Sequence, residues 1–298
     1  MIAIFSEEKA MTVKRAILSA VMFVLAFPCL ATGNSYPWQM NETNPRHVAS
    51  QIPPPTGFRR TEIESGTFAD WLRHLPLKKR GAPVLLHDGK PKANQGVHVA
   101  VIDIDTGTKD LQQCADAIIR LRAEYLYSRK DFTAIHFNFT SGDKASFTSW
   151  LSGYRPIVKG NRVTWAKQAN KDISYSNFRK YLRTVFVYAG SHSLSRELQV
   201  RKDASHMQIG DVFIKGGFPG HAVVVLDMAE NDRTGQRVFL LAQSYMPAQD
   251  IHIMKNPTNA SLSPWYKIPL DDTLRTPEWI FEKFDLKCFA PKSETDNR

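Results

Sequence analysis

The chain has 298 residues, of which 43% are hydrophobic and 23% are charged, and its formal net charge is +10. This composition excludes a disordered or fibrous protein. The basic charge favours anionic partners, but no dense run of Lys and Arg with interleaved aromatic residues occurs, so we expect no binding of nucleic acid.

The first 33 residues are predicted to be a signal peptide. Lys14 and Arg15 precede an apolar segment, residues 16–30, and the small residues at 31–33 follow it. The apolar segment is shorter than the roughly 20 residues that span a bilayer, and no other stretch approaches that length, so we expect no transmembrane anchor. The sequence therefore predicts cleavage near Gly33 and a periplasmic or secreted protein.

Residues 34–104 are predicted to form an N-terminal arm and subdomain that packs on the rest of the chain. Residues 34–57 are rich in Pro and Asn and should run over the surface in extended form. Thr67 can cap a helix that ends at Leu75, and the β-branched residues of 97–104 predict a strand. We expect residues 34–298 to fold as one unit.

A strong helical pattern surrounds Cys114. Apolar residues recur there at steps of three and four, with Thr108 or Asp110 as the candidate N-cap, and the stripe comprises Leu111, Cys114, Ile118, Leu121 and Tyr125. If Thr108 is the cap, Cys114 lies about one turn into the helix. Farther on, residues 134–139 predict a strand, 144–151 a short helix, 178–188 a segment that begins as helix and ends as strand, and 191–198 another helix.

Two strands in the C-terminal half are predicted to form a hairpin. The turn and strand of residues 210–214 lead through a glycine-rich loop to the apolar strand 221–226, and the returning strand is 237–243. If Glu230 and Gln236 pair beside the turn, residue 245 lies opposite His221, and Gln243 projects from the same face of the sheet as His221. The tail should end in a helix over residues 277–284.

Three residues of these elements suit thiol catalysis. Cys114 lies early in a helix, His221 begins a buried strand, and Gln243 ends the next one. A thiolate is the nucleophile, and a helix N-terminus or an imidazolium lowers its pKa. The imidazole returns the proton to the leaving group, a third polar side chain orients the ring, and backbone N–H groups bind the oxyanion.

This order of residues resembles the papain-like bacterial cell-wall peptidases and amidases of the NlpC type. The matching elements are Gly210-Asp211, Gly220-His221, Gln243 and the helix that carries Cys114. The resemblance implies an α+β fold over residues 105–298, in which an antiparallel sheet packs against the cysteine-bearing helix, with an N-terminal extension. It also implies hydrolysis of an amide or related acyl bond, in cell-wall peptide, with no cofactor. The 107 residues from Cys114 to His221 imply an insertion near residues 140–205.

A second resemblance covers the whole chain after the signal peptide. The stretches that carry it are QQCADAIIRLRAEYLY, GHAVVVLDMA and LLAQSYMPAQDIHI. They resemble a family of secreted bacterial proteins that is catalogued as domain of unknown function 4846. That name implies no activity.

Several alternatives stay open at the level of sequence. Cys114 can be a nucleophile, a buried structural thiol or the partner of Cys288 in a disulfide. Asp103 and Asp105 can be metal ligands or solvated acids, but no zinc-binding or serine-hydrolase motif occurs. Tyr245-Met246-Pro247 and Trp265-Tyr266 can line a groove or fill the core. The alternative function is a non-catalytic periplasmic protein that binds an anionic component of the cell envelope, and the oligomeric state is not specified.

Overall fold

A computed structural model of the protein describes residues 34–39, 46–268 and 272–290. The predicted signal peptide, residues 1–33, lies outside the described residues. All the described residues belong to one compact unit. Within those ranges no helix is long and apolar enough to cross a membrane.

Six α-helices occur in the described part of the chain: α1 (Val48–Gln51), α2 (Phe68–Arg73), α3 (Cys114–Ser128), α4 (Phe147–Leu151), α5 (Tyr175–Tyr188) and α6 (Ser191–Glu197). Thr67 caps α2 as predicted, because its side chain accepts a hydrogen bond from the N–H of Asp70. The prediction that residues 178–188 end as a strand is wrong. Helix α5 continues to Tyr188, since Phe178, Leu182 and Val185 are all buried at helical spacing.

Helix α3 begins at Cys114, later than either predicted cap. Gln113 is the N-cap residue, and its backbone N–H donates to the Asp116 carboxylate at 3.2 Å. Asp110 does not cap the helix because its carboxylate accepts from the backbone N–H of Ala248 at 2.7 Å and from the Gln113 amide at 2.9 Å. Cys114 is therefore the first residue of the helix and does not lie one turn inside it.

Fifteen strands occur in the same residues: β1 (Arg59–Arg60), β2 (His98–Val101), β3 (His136–Asn138), β4 (Lys144–Ser146), β5 (Tyr154–Lys159), β6 (Arg162–Lys167), β7 (Gln199–Val200), β8 (Val212–Lys215), β9 (His221–Glu230), β10 (Arg237–Gln243), β11 (His252–Met254), β12 (Tyr266–Ile268), β13 (Thr273–Arg275), β14 (Ile280–Glu282) and β15 (Leu286–Cys288). Nine of them form one antiparallel sheet. Its order is β2-β11-β10-β9-β8-β15-β7, while β1 also pairs with β9 and β12 with β10. The protein is thus α+β with a large antiparallel sheet.

Both faces of the central hairpin, β9 and β10, are covered. Ala222, Val224 and Leu226 of β9 belong to the core that the apolar side of α3 fills. Val223 and Val225 point to the opposite face, where they belong to a second core that contains Phe281. Burial on both faces explains why β9 is apolar almost without interruption.

Ion pairs and strand pairing both hold the N-terminal segment against this hairpin. Strand β1 pairs with the far end of β9, Arg59 opposite Glu230. The carboxylate of Asp227, fully buried in β9, accepts from Arg60 at 2.6 Å and from Arg73 of α2 at 2.7 Å. Two guanidinium groups therefore compensate one buried carboxylate.

The predicted helix over residues 277–284 is wrong. Residues 280–282 form β14, which pairs with β13, and a short 3-10 turn follows at residues 283–285. Phe281 is buried while its neighbours Ile280 and Glu282 are exposed, which is the alternation of a strand. This segment covers the face of the sheet on which the predicted site lies.

Candidate functional site

The central hairpin brings His221 and Gln243 to the same end and the same face of the sheet. Glu230 pairs with Arg237 and not with Gln236 as predicted, so the register near the turn differs by one residue. A β-bulge at Leu226 then shifts the register back, and Ala242 lies opposite Val224. Continued by one residue, this register places Gln243 opposite Val223, two residues from His221.

His221 and Gln243 are joined by a hydrogen bond. The Nε2 atom of His221 lies 2.8 Å from Oε1 of Gln243, and both side chains are only 2% exposed. The imidazole is enclosed by the rings of Tyr245, Trp279 and Phe281, whose centroids lie 4.8, 5.3 and 5.8 Å from its own. Burial lowers the pKa of His221 to about 4, so the ring is neutral at pH 7.

The N-terminus of α3 meets the sheet at the end of β10. The Ser244 hydroxyl donates to the backbone oxygen of Gln112 at 3.1 Å, and Asp110 holds the N–H of Ala248 on the same side. Helix α3, which Cys114 begins, packs on the face of β9 that carries Ala222, Val224 and Leu226. His221 projects from the other face of β9, toward Phe281, so the structure places the imidazole and the cysteine-bearing helix on opposite faces of the sheet.

The thiol of Cys114 is neutral in this structure, contrary to the expectation that its pKa falls. Cys114 is partly exposed as a residue, but its sulfur is enclosed by protein atoms. Burial and the charge of Asp116 raise the pKa of the thiol to about 11, against the lowering effect of the N–H groups of Ala115, Ala222 and Cys114 itself. Burial also raises the pKa of Asp116, which favours its neutral form and weakens the repulsion.

Cys114 and Cys288 do not form a disulfide. Both are free thiols, Cys114 at the start of α3 and Cys288 buried in β15 at the opposite side of β8. The hypothesis of a bridge between them finds no support in the structure. Cys114 is therefore a free thiol at the start of α3.

Sequence reasoning missed the polar residues that surround Gln243. Its Nε2 atom lies 2.6 Å from Oε2 of Glu278 and 3.3 Å from Nε2 of His252, the residue opposite it in β11. The other carboxylate oxygen of Glu278 binds Nζ of Lys92 at 2.7 Å. No sequence signal marks these contacts, because Lys92, His252 and Glu278 come from separate segments, and the predicted helix over residues 277–284 includes Glu278.

The remaining candidates take other roles. Asp105 pairs with Arg179 at 2.7 Å and Arg120 at 3.2 Å; although burial opposes its charge, these guanidinium groups hold its pKa below the usual range. No group of three acidic, His or Cys residues suited to a metal ion occurs among the residues described, Asp103 included. Trp265 is buried and donates to the backbone oxygen of Pro53.

Comparison with known proteins identifies the family of the chain. No curated protein and no solved structure matches it. One family model matches residues 48–288, a range that includes α3, the central hairpin and the segment around Glu278. The chain therefore belongs to the family described as Domain of unknown function (4846).

Proposed function

We propose that this protein is an exported cysteine hydrolase of the papain-like type, which cleaves an amide or related acyl bond. The hydrogen bond between His221 and Gln243 carries the proposal, because it orients a buried imidazole on the strand against which α3, the helix that Cys114 begins, packs. The proposal follows the resemblance to NlpC-type peptidases and requires the Cys114 sulfur to meet the imidazole around the end of the sheet, from the opposite face. Export rests on the predicted signal peptide.

The proposed reaction is acyl transfer through a thioester. The sulfur of Cys114 attacks the carbonyl carbon of the substrate while its proton passes to Nδ1 of His221. The imidazolium then gives this proton to the leaving amine, and the carbon–nitrogen bond breaks. Water, deprotonated by His221, attacks the thioester, and the acid and the free thiol are released.

The polarity of the site favours proton transfer during the attack and not before it. With a pKa of about 11 for Cys114 and about 4 for His221, the neutral pair is the resting state. Burial disfavours separated charges, so the thiolate forms only as the bond to the substrate carbon develops. The N–H groups of Cys114 and Ala115, unpaired within the first turn of α3, supply donors for the growing negative charge.

The substrate class that we propose is cell-wall peptide. Export would place the enzyme beside such peptides, and the net charge of +10 attracts anionic polymers. Two exposed apolar residues flank the site: Phe218 is 88% exposed in the loop before His221, and Met246 is 64% exposed three residues after Gln243. Large exposed apolar side chains at the rim of a site favour contact with apolar parts of a substrate.

The raised pKa of Cys114 favours a second candidate, a non-catalytic protein that binds an anionic envelope component on the same scaffold. Such a protein needs no reactive thiol. The two candidates differ in what His221 does to Cys114: a general base accelerates attack by the sulfur, whereas a structural neighbour has no such effect.

The deciding experiment measures the rate at which iodoacetamide modifies each cysteine of the native full-length protein at pH 7.5, by peptide mass spectrometry. We expect His221→Ala to slow modification of Cys114 by about 10²-fold or more, the range of general-base catalysis. Cys288 in the same molecule is the internal control, and its rate should not change.

Hydrolysis is tested in parallel with purified peptidoglycan fragments. Cys114→Ser should abolish the release of amine and the acyl mass added to Cys114, whereas Cys288→Ser should retain both. Equal reactivity of Cys114 with and without the imidazole, together with unchanged hydrolysis in Cys114→Ser, would exclude the hydrolase and leave the binding protein.

A further inference from the structure

A buried row of polar groups leads from β11 to His221, and its first member has a defined proton. Nδ1 of His252 lies 2.9 Å from the backbone oxygen of Asp250, and His252 is fully buried. A carbonyl oxygen only accepts hydrogen bonds, so the proton of His252 is on Nδ1. Burial lowers the pKa of His252 to about 3, which keeps the ring neutral and leaves Nε2 with a lone pair.

The amide of Gln243 stands between this lone pair and a carboxylate. Nε2 of His252 is 3.3 Å from the amide nitrogen, and Oε2 of Glu278 is 2.6 Å from it. Lys92 holds the other oxygen of Glu278 at 2.7 Å and keeps the carboxylate in place. Both N–H bonds of the amide thus have an acceptor, whereas the flipped amide would turn its oxygen toward a carboxylate and a lone pair.

The orientation of Gln243 decides the tautomer of His221. The Oε1 atom is left to face Nε2 of His221 at 2.8 Å, and an amide oxygen only accepts. The proton of the neutral His221 ring is therefore on Nε2, and Nδ1 carries the lone pair. Nδ1 is the ring nitrogen nearer the backbone of β9.

We propose that His252 and Glu278 are positioning residues, which lock the amide of Gln243 so that His221 keeps its proton on Nε2 and leaves the lone pair of Nδ1 for use as a base. The last step, the use of Nδ1 as a base, rests on the proposed function. The tautomer itself does not.

The charged and titratable groups around this row come from several elements. Lys92 and Glu278 approach Gln243 from loops, His98 of β2 lies edge-on to His252 with centroids 5.9 Å apart, and Tyr245 covers His221. A pH profile of the site therefore reports on these groups as well as on His221. For that reason the primary readout is the tautomer at a fixed pH.

The test is a long-range proton–nitrogen correlation spectrum of the ¹⁵N-histidine-labelled full chain at pH 7.5, assigned with His221→Gln and His252→Gln. We expect a protonated Nε2 in His221 and a protonated Nδ1 in His252. In Glu278→Gln and His252→Leu, we expect His221 to populate both tautomers. Glu278→Asp should restore the single tautomer in part, and Glu230→Gln, at the far end of β9, should leave the spectrum of His221 unchanged.

Kinetics provide the second readout. Glu278→Gln should lower kcat with little change in KM, by a factor between about 10 and the roughly 10⁴ that a wrong tautomer costs a serine triad. A proton on Nδ1 of His221 in the wild type, or one unchanged tautomer in both folded variants, would overturn the proposal. If the expected tautomer is found while Cys114 shows no His221-dependent reactivity, the positioning is upheld and the hydrolase alone fails.

Discussion

Gly220 precedes His221 in a space that admits no side chain. A Cβ atom at this position would lie 2.6 Å from the backbone oxygen of Gly217 and 2.7 Å from that of Lys215, and it would also meet the hydroxyl of Ser191. The hydroxyl can rotate away, but the two carbonyl groups belong to the loop and to β8. Gly220→Ala therefore forces the backbone before His221 to move by several tenths of an ångström or more.

The size of the effect follows from this displacement. Overpacking costs about 1–3 kcal/mol of unfolding free energy, which lowers Tm by about 2–10 °C in a protein of this size. A displacement near 1 Å of a catalytic group lowers the rate by about 10²-fold. We expect both effects in Gly220→Ala, since the loop both closes the sheet and positions His221.

Thermal unfolding and the rate of Cys114 alkylation measure the two effects. Gly190→Ala is the matched control, because a Cβ there meets no atom within 4 Å and the residue has extended φ of 176°. It should change stability by less than about 1 kcal/mol. If Gly220→Ala matches Gly190→Ala in Tm and in alkylation rate, the loop does not hold His221 in the way described.

Three further predictions concern charge, pH and the rim. Asp227→Ala leaves Arg73 buried without its carboxylate and should cost about 3–5 kcal/mol in urea unfolding, and a loss below 1 kcal/mol would contradict this account. The pKa of His221 is lowered to about 4 in the folded state, so the wild type should lose about 1.6 kcal/mol of unfolding free energy relative to His221→Gln between pH 6.5 and 5, as the unfolded state takes up the proton; a constant difference would refute it. Phe218→Ser with Met246→Ser should alter unfolding free energy by less than about 1 kcal/mol but raise KM for peptide substrates, and an unchanged KM would remove these side chains from the site.

The elements that the sequence predicts best are those with a local cause. The run of apolar residues in β9 and the returning strand β10 are visible because nearly every residue of both is buried. The helical stripe after Cys114 is equally clear. These patterns depend on which residues face a core, and that information repeats every two or every 3.6 residues.

The elements that the sequence predicts poorly depend on distant partners. Asp is a residue type that often caps helices, but the carboxylate of Asp110 accepts instead from the backbone N–H of Ala248, 138 residues away. Residues 277–284 form too short a segment for periodicity to distinguish a helix from a strand. The strand β14 forms there because it pairs with β13. Glu278 and His252 reach Gln243 only because of these long-range pairings, so no local pattern marks them.

The hydrogen bond between His221 and Gln243 depends on a β-bulge that lies several residues away in β9. Near the turn, Arg237 pairs with Glu230, and an unbroken ladder from that pair would set Gln243 opposite Val224. Its side chain would then project from the face opposite to that of His221, since one residue of register exchanges the faces. The extra residue at Leu226 removes this mismatch. The bulge is therefore what places the amide and the imidazole on one face, and the 2.8 Å contact depends on it.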